Sequence, residues 1–271
     1  MKGAYITLTY RWNHETENCK TTTANHAERL QGRGFGQLPK LFQDIFTVVE
    51  KLGVRYVWID SICIIQKGDD GADWRREAPK TAQYYQFSLL TIAGTMQNME
   101  NGILHPYQDG FIPWESRLVR LPYRDNTNAN ISYFYVYTRK VPPVDDYWSP
   151  IRESILFRPS WILQEWLLSK RLVWYTSQGL FFECQHDTPR TDAQEMFQLE
   201  RAKPELQSHI QLKLSFHVSN ANILDFWYHA LEVYSECQLS KPGIDQILAI
   251  TGIAKEVGRI LANPSQEVKE S

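Results

Sequence analysis

The stretch Arg55-Tyr-Val-Trp-Ile-Asp-Ser-Ile-Cys-Ile-Ile-Gln66 decides the fold of this chain. The overlapping run from Val54 to Ile59 is almost entirely β-branched and aromatic, which predicts a strand buried on both faces inside a parallel sheet. The run ends at Asp60. Because open α/β sheets bind ligands beyond the carboxyl ends of their strands, we expect Asp60 to face a cleft. That expectation assumes that the strand does not lie at the edge of the sheet.

A helix and two further strands surround this stretch. Ala4 to Tyr10 alternates in polarity and predicts a first strand, and Leu89 to Ala93 predicts a third. A strand, a helix and a strand in this order predict a parallel βαβ unit. The helix is indicated by apolar residues at helical spacing ahead of Gly53, which suits a C-terminal cap. These apolar residues are Leu41, Phe42, Ile45, Val48, Val49 and Leu52.

The second half of the chain predicts two hairpins, a short helix from Ser160 to Leu168 and two longer helices. Ile223 to Tyr234 and Ile244 to Leu261 carry apolar stripes typical of helices that pack on a core. We therefore predict a three-layer α/β fold, with a partly parallel sheet, helices on both faces, antiparallel hairpins and C-terminal helices. The hairpin strands alternate in polarity around turn-forming residues, and they are Arg117 to Tyr123 with Ile131 to Thr138, and Arg171 to Tyr175 with Leu180 to Cys184.

Charge and cysteine spacing narrow the class of protein. The 271 residues include 29 basic and 31 acidic side chains, a balance that indicates neither nucleic acid nor an anionic membrane as a partner. No window approaches the ~20 apolar residues needed to span a bilayer, so no membrane span is predicted. The four cysteines are widely spaced and include no Cys-x-x-Cys pair. We therefore expect no disulfide framework and a reducing, cytoplasmic location.

Six blocks of sequence follow one another along the chain, and they are Tyr5 to Trp12, Tyr56 to Gln66, Asp73 to Ala78, Thr91 to Ala93, Trp161 to Glu165 and Leu180 to Cys184. In this order they resemble the blocks of the fungal heterokaryon incompatibility (HET) domain, and Ala249 to Ala254 resembles a segment that follows the domain in such proteins. The resemblance implies a HET domain over residues 1–186 and a signalling or effector role in non-self recognition and programmed cell death, through protein partners or self-association. The helical stripes predict a helical extension over 187–262, and the charged composition predicts a disordered tail over 263–271.

A second hypothesis arises because the HET domain is distantly similar to Toll/interleukin-1 receptor (TIR) domains, which implies a TIR-like or flavodoxin-like sheet. Trp74-Arg-Arg-Glu77 resembles the Trp-Cys-x-x-Glu motif of TIR domains, with one residue fewer and no cysteine. In enzymatic TIR domains this glutamate contacts the ribose of NAD⁺. The resemblance therefore implies Glu77 as the catalytic candidate of an NAD⁺ glycohydrolase, with NAD⁺ as substrate. Alternatively, Glu77 only stabilises a helix dipole.

The ends of the first two strands supply further candidates for ligand binding. Arg11 could pair with phosphate and Trp12 could stack on a base, with Tyr10 beside them. The alternative is a surface cation next to aromatic anchors. Asp60 could line a cleft, coordinate a cation or cap the next turn through backbone amides.

Asp73 and Trp74 complete the candidate ligand-binding residues. Asp73 suits the N-cap of a helix, but Pro79 would interrupt that helix and favours a regular start nearer Ala78. No metal site is predicted, because Cys184-Gln-His186 is too short a pattern without further ligands.

Four other residues in these blocks are expected to be structural. Cys63 lies between two isoleucines, so a buried and unreactive thiol is expected. Gln164, Glu165 and Glu183 are expected to form hydrogen bonds that fix the second half of the chain to the first.

Overall fold

The computed structural model describes residues 3–32, 34–95, 99–104, 119–124, 130–136, 151–176, 179–187, 189–191, 204–216, 222–239 and 242–262. The predicted tail over 263–271 lies outside these ranges. The strands are β1 (Tyr5–Thr9), β2 (Tyr56–Trp58), β3 (Leu90–Gly94), β4 (Val119–Arg124), β5 (Asn130–Val136), β6 (Arg171–Thr176), β7 (Gly179–Cys184) and β8 (Arg190–Thr191).

The described helices lie between and after these strands. They are α1 (His14–Asn18), α2 (Thr23–Leu30), α3 (Lys40–Lys51), α4 (Asp60–Cys63), α5 (Ala72–Glu77), α6 (Thr81–Gln86), α7 (Ser160–Leu168), α8 (Pro204–Ser215), α9 (Ile223–Ser235) and α10 (Pro242–Ala262). Within the ranges given above, no helix is both long enough and apolar enough to cross a bilayer.

Six strands form one sheet in the order β2-β1-β3-β6-β7-β8. β1 pairs in parallel with β2 and β3, and β3 pairs in parallel with β6. β7 and β8 continue the sheet in the antiparallel sense, whereas β4 and β5 form a separate antiparallel hairpin. The predicted α/β fold, partly parallel with antiparallel additions, is therefore confirmed.

The strand at β2 lies at the edge of the sheet, so the prediction of an interior strand was wrong. Tyr56 is 39% exposed. On one face Val57 packs against the core next to α3, and on the other Trp58 meets the ring of Tyr85 in α6. An edge strand that is covered on both faces carries the same apolar pattern as an interior one.

Apolar clusters cover the two faces of the sheet. Ile92 and Ala93 are successive residues of β3 and belong to different clusters, because successive side chains of a strand point to opposite faces. The cluster around Ile92 includes β1 and α3. The cluster around Ala93 contains residues of α7, β6 and β7 together with residues of α8, α9 and α10. The C-terminal helices therefore share a core with the second half of the sheet.

The end of α3 sets the entry into β2. Gly53 follows the C-cap residue Leu52 and has a φ of 70°, a left-handed conformation that glycine adopts without strain, so the predicted cap is confirmed. The N–H of Val54 then donates to the carbonyl of Val49 at 3.1 Å. This bond closes the helix end and directs the chain into β2, towards Asp60.

Candidate functional site

A cleft of about 590 Å³ opens beyond the carboxyl ends of β1 and β2. Open α/β sheets bind ligands at this position. Aromatic walls with a few charged groups are typical of small-molecule sites. The structure brings five of the predicted site residues together here, which are Tyr10, Arg11, Trp12, Asp60 and Trp74. The sequence interpretation had not assigned Glu17, Lys20, Trp58, Trp161 or Glu165 to a ligand site, and they line the same cleft.

Asp60 is held in the cleft wall by hydrogen bonds. Its Oδ2 accepts the indole N–H of Trp12 at 3.0 Å, and its Oδ1 accepts the backbone N–H of Ser61 at 2.6 Å. The Ser61 side chain accepts a hydrogen bond from the hydroxyl of Tyr10 at 2.7 Å. These bonds tie α4 to the residues beyond β1. Asp60 therefore reaches the cleft even though β2 is an edge strand.

The three residues beyond β1 have different roles. Tyr10 is buried and its ring meets Phe42 edge to face, with centroids 5.6 Å apart, so it anchors the segment. Arg11 is exposed. The ammonium group of Lys20 lies 6.0 Å from the centre of the Trp12 ring. Lys20 also forms an ion pair with Glu17. This side of the cleft therefore carries Arg11 and a paired lysine beside an aromatic face.

Glu165 of α7 is a second carboxyl group in the cleft. The hydroxyl of Thr9 in β1 donates to its Oε2. This bond fixes the second half of the chain to the first, as expected, but it also aims the carboxyl at the cleft. The sequence contained a signal for this position, because Trp161 lies four residues earlier and residues at that spacing share a helix face.

Asp60 and Glu165, two of the three carboxyl residues that line the cleft, have separated pKa values. Burial raises the pKa of Asp60 to about 6, although hydrogen bonds from Ser61, Trp12 and Tyr10 favour the ionised form. Burial raises the pKa of Glu165 to about 8, and the nearby charge of Asp60 raises it further, against the hydrogen bond from Thr9. At pH 7 Asp60 is mainly ionised and Glu165 mainly protonated. Such divergence within one cleft is typical of acid–base sites.

Indole rings form the walls of the cleft. Trp74 and Trp161 meet edge to face with ring centroids 6.2 Å apart. Trp58 packs on Tyr84 with centroids 4.9 Å apart. Aromatic faces of this kind bind flat rings and cations.

The family model described as heterokaryon incompatibility protein (HET) matches residues 5–165. The chain belongs to the HET family. Every residue that lines the cleft lies inside the matched range. Comparison with curated proteins and with solved structures gave no match.

The glutamate of the TIR-like motif, Glu77, is not among the described residues of this HET-family chain that line the cleft. Its carboxylate accepts hydrogen bonds from the Tyr84 hydroxyl, from Arg76 Nε at 2.9 Å and from Lys80 Nζ at 3.0 Å. Chiefly through Tyr84, these donors lower the pKa of Glu77 to about 2. Tyr84 in turn packs on Trp58, which lines the cleft, so two aromatic rings lie between Glu77 and the cleft. The catalytic role of Glu77 stays a prediction from the motif, and it is the alternative to a role for a carboxyl that lines the cleft.

Asp73 also lies apart from the residues described as cleft lining. Its carboxylate accepts the backbone N–H of Ile65 at 2.8 Å, which fastens α5 to the segment after α4. The predicted N-cap position was wrong, because α5 begins at Ala72 with Gly71 as its N-cap. Asp73 lies inside the helix, and the Asp69 carboxylate accepts its backbone N–H at 2.8 Å. Pro79 interrupts the helix, as predicted, within the 3-10 turn Ala78–Lys80.

Cys63 is exposed, so the prediction of a buried thiol was wrong. The residues after Asp60 coil into α4 instead of continuing the strand, and this turns the side chain outward. Its surroundings nevertheless raise the pKa of the thiol, chiefly by desolvation. Within the described ranges, no group of three or more His, Cys, Asp or Glu side chains is placed to hold a metal ion.

Gln164 and Glu183 form hydrogen bonds, as expected, but their partners lie in the second half of the chain. The prediction that these two residues fix the second half to the first was therefore wrong. Glu183 is 2% exposed and accepts indole N–H groups from Trp166 and Trp174 at 2.8 to 3.1 Å. The Gln164 Oε1 accepts the backbone N–H of Gly252 at 2.8 Å. Gln164 therefore joins the family-matched part of the chain to α10, and Glu183 braces the core.

Proposed function

We propose that this HET-family chain is a signalling and effector module in non-self recognition and programmed cell death. It acts in the cytoplasm and assembles with itself or with protein partners. Family membership over residues 5–165 supports this role. The balanced charge favours protein partners over nucleic acid. The proposal includes a HET domain over 1–186 and a helical extension over 187–262.

The activity that we propose for the cleft is hydrolysis of the bond between nicotinamide and ribose in NAD⁺. One observation carries this proposal: two partly buried carboxyls with separated pKa values, Asp60 and Glu165, line one aromatic cleft beyond the carboxyl ends of parallel strands. Glycosidic chemistry uses carboxyl pairs of this kind, with one ionised and one protonated group.

The rest of the cleft suits the other parts of a dinucleotide. Arg11 offers positive charge to the pyrophosphate, and Lys20 can do so in exchange for its ion pair with Glu17. The indoles of Trp74 and Trp161 offer faces for the bases, and a cationic nicotinamide ring gains additional attraction from them.

The proposed reaction needs little from the protein. The glycosidic bond breaks and its electron pair passes to the nicotinamide nitrogen, so this leaving group needs no general acid. The ionised Asp60 stabilises the positive charge that develops on ribose. Water adds to the ribose carbon and transfers its proton to Asp60. The protonated Glu165 donates a hydrogen bond to a ribose hydroxyl, and its neutrality limits repulsion between the two carboxyls.

Incubation of the purified protein with NAD⁺ tests the activity, with free nicotinamide and ADP-ribose followed together. The measurement is made at several protein concentrations, because self-association could complete the site. We expect both products in equal amounts from the wild type, and neither from heat-unfolded protein. If the folded protein releases no nicotinamide at any concentration, the hydrolase proposal is rejected and a role through partner binding alone takes its place.

A further inference from the structure

The C-terminal helix α10 packs against the back of the cleft. It contacts α7, α6 and the 3-10 turn Ala78–Lys80. The same three segments contribute Ala78, Thr81, Trp161, Ile162 and Glu165 to the cleft lining. They therefore lie between α10 and the cleft. The family match ends at residue 165, so α10 lies outside the matched range.

Gly252 of α10 lies close to these segments. Its backbone N–H donates to the Gln164 Oε1 at 2.8 Å. A Cβ atom at this position would lie 2.3 Å from the Cβ of Ala82 and 2.4 Å from the Gln164 Oε1. Only a residue without a side chain allows this contact, and glycine is the residue that permits such backbone approaches.

Gln164 and Glu165 are consecutive residues of α7 with different partners. Gln164 is 1% exposed and bonds to α10. Glu165 accepts a hydrogen bond from Thr9 of β1 and opens to the cleft. Consecutive residues of a helix keep a fixed angular relation. The bond from Gly252 to Gln164 therefore helps to hold the rotation of α7 that aims Glu165, together with the packing of the other buried α7 side chains.

We propose that Gln164 is a positioning residue, through which the docked helix α10 holds the Glu165 carboxyl in its place in the cleft. The role given to Glu165 rests on the proposed function. The placement of the carboxyl does not, so it can be tested without substrate. Asp60 and Tyr85 are the titratable groups whose interactions with Glu165 would change if α7 turned.

Two glycines of the same helix provide a matched pair of variants. Gly252→Ala forces α10 away from Gln164 and Ala82. Gly258→Ala meets nothing within 4 Å, so it leaves the docking unchanged. Both changes add one methyl group to α10, and alanine favours helix at both positions. A difference between the two variants therefore reports the contact of α10 with Gln164 and Ala82, and not a change in helix propensity.

The first measurement is the titration of Glu165, followed by NMR of ¹³C-labelled glutamate side chains in the full chain. Its signal is assigned by its loss in Glu165→Gln. In the wild type and in Gly258→Ala we expect the elevated midpoint. In Gly252→Ala we expect it to fall by about one pH unit or more, because a displaced carboxyl gains solvent. Equal midpoints in the two folded glycine variants would overturn the proposal.

The second measurement separates positioning from folding by steady-state kinetics of nicotinamide release. Gly252→Ala is expected to lower kcat by about 10- to 10²-fold with a smaller change in KM, since a misplaced group weakens the chemical step. If the wild type releases no nicotinamide, the proposed function fails while the titration still decides the placement. Should Gly252→Ala not fold, Gln164→Met removes the hydrogen-bond acceptor at similar size. The Glu165 midpoint should then fall in Gln164→Met, and a midpoint equal to that of Gly258→Ala would overturn the proposal.

Discussion

The indole N–H of Trp12 donates a hydrogen bond to Oδ2 of Asp60 at 3.0 Å. This bond joins the segment beyond β1 to the end of β2, two neighbouring parallel strands. It orients the carboxylate and offsets part of the rise in pKa that burial causes. An aromatic wall residue is thereby also a charge-stabilising donor.

Replacing Trp12 by Phe keeps an aromatic ring but removes the donor. A hydrogen bond to the ionised form lowers the pKa of an acid, so its loss should raise the pKa of Asp60 above about 6. We expect a rise of about one pH unit, measured by NMR of ¹³C-labelled aspartate side chains. Trp161→Phe on another cleft wall is the matched control and should leave the Asp60 midpoint in place. Equal midpoints in wild type and Trp12→Phe would show that the bond does not control Asp60.

The pH profile of nicotinamide release should be bell-shaped. The rising limb reflects ionisation of Asp60 near a pKa of about 6, and the falling limb reflects loss of the Glu165 proton near a pKa of about 8. Since the groups interact, the midpoints belong to the pair. The measurement is kcat/KM from pH 5 to 9. In Glu165→Gln the falling limb should disappear, and a falling limb that persists unchanged would exclude Glu165 as its source.

The free energy of unfolding should also depend on pH through the Glu165 carboxyl. The folded-state pKa of Glu165 is raised to about 8 from an ordinary 4.5. Below about 4.5 the group is protonated in both states. Between the two values the unfolded state loses the proton first, so the contribution to stability is lost as pH rises.

Urea unfolding of wild type and Glu165→Gln at several pH values measures this effect. The free energy of unfolding of the wild type should fall relative to the variant as pH rises from about 4.5 to about 8. The contribution of Asp60 is common to both proteins apart from its interaction with Glu165, which belongs to the measured difference. A difference between the two proteins that does not change with pH would contradict the raised pKa.

The buried Glu183 should matter for stability alone. Glu183→Ala leaves the indole N–H groups of Trp166 and Trp174 without their acceptor and should cost about 2–5 kcal/mol of unfolding free energy. Glu236→Ala is the matched control, because that side chain is 66% exposed in its ion pair with Arg152. Its loss should cost less than about 1 kcal/mol. Equal losses in the two variants, by chemical denaturation, would argue against the buried network.

The order of strands and helices could be predicted because it follows from local sequence patterns. The alternation in Ala4 to Tyr10 and the helical stripe before Gly53 depend only on neighbours along the chain, and both elements occur where predicted. The position of β2 could not be predicted. Its apolar run indicates that both faces of the strand are buried. An edge strand covered by α3 on one face and α6 on the other has the same pattern as an interior strand.

The candidate site was predictable only in part for a related reason. The segments at Tyr10 to Trp12 and at Asp60 meet because parallel strands end at one side of the sheet. Glu165 comes from a helix much farther along the chain, and only tertiary packing brings it to Thr9. Glu77 was predicted from a motif resemblance. A motif contains no information on the hydrogen bonds that Tyr84, Arg76 and Lys80 donate to its carboxylate in the fold.

The most direct test of the account compares nicotinamide release by Asp60→Asn and Glu77→Gln with release by the wild type, each checked for folding by circular dichroism. Both changes remove one negative charge at nearly constant size. If the cleft carboxyl stabilises charge on ribose, Asp60→Asn should lower kcat by about 10²–10³-fold, and Glu77→Gln should leave it within about two- to threefold of the wild type. The opposite result, with activity lost in folded Glu77→Gln and kept in Asp60→Asn, would contradict the account.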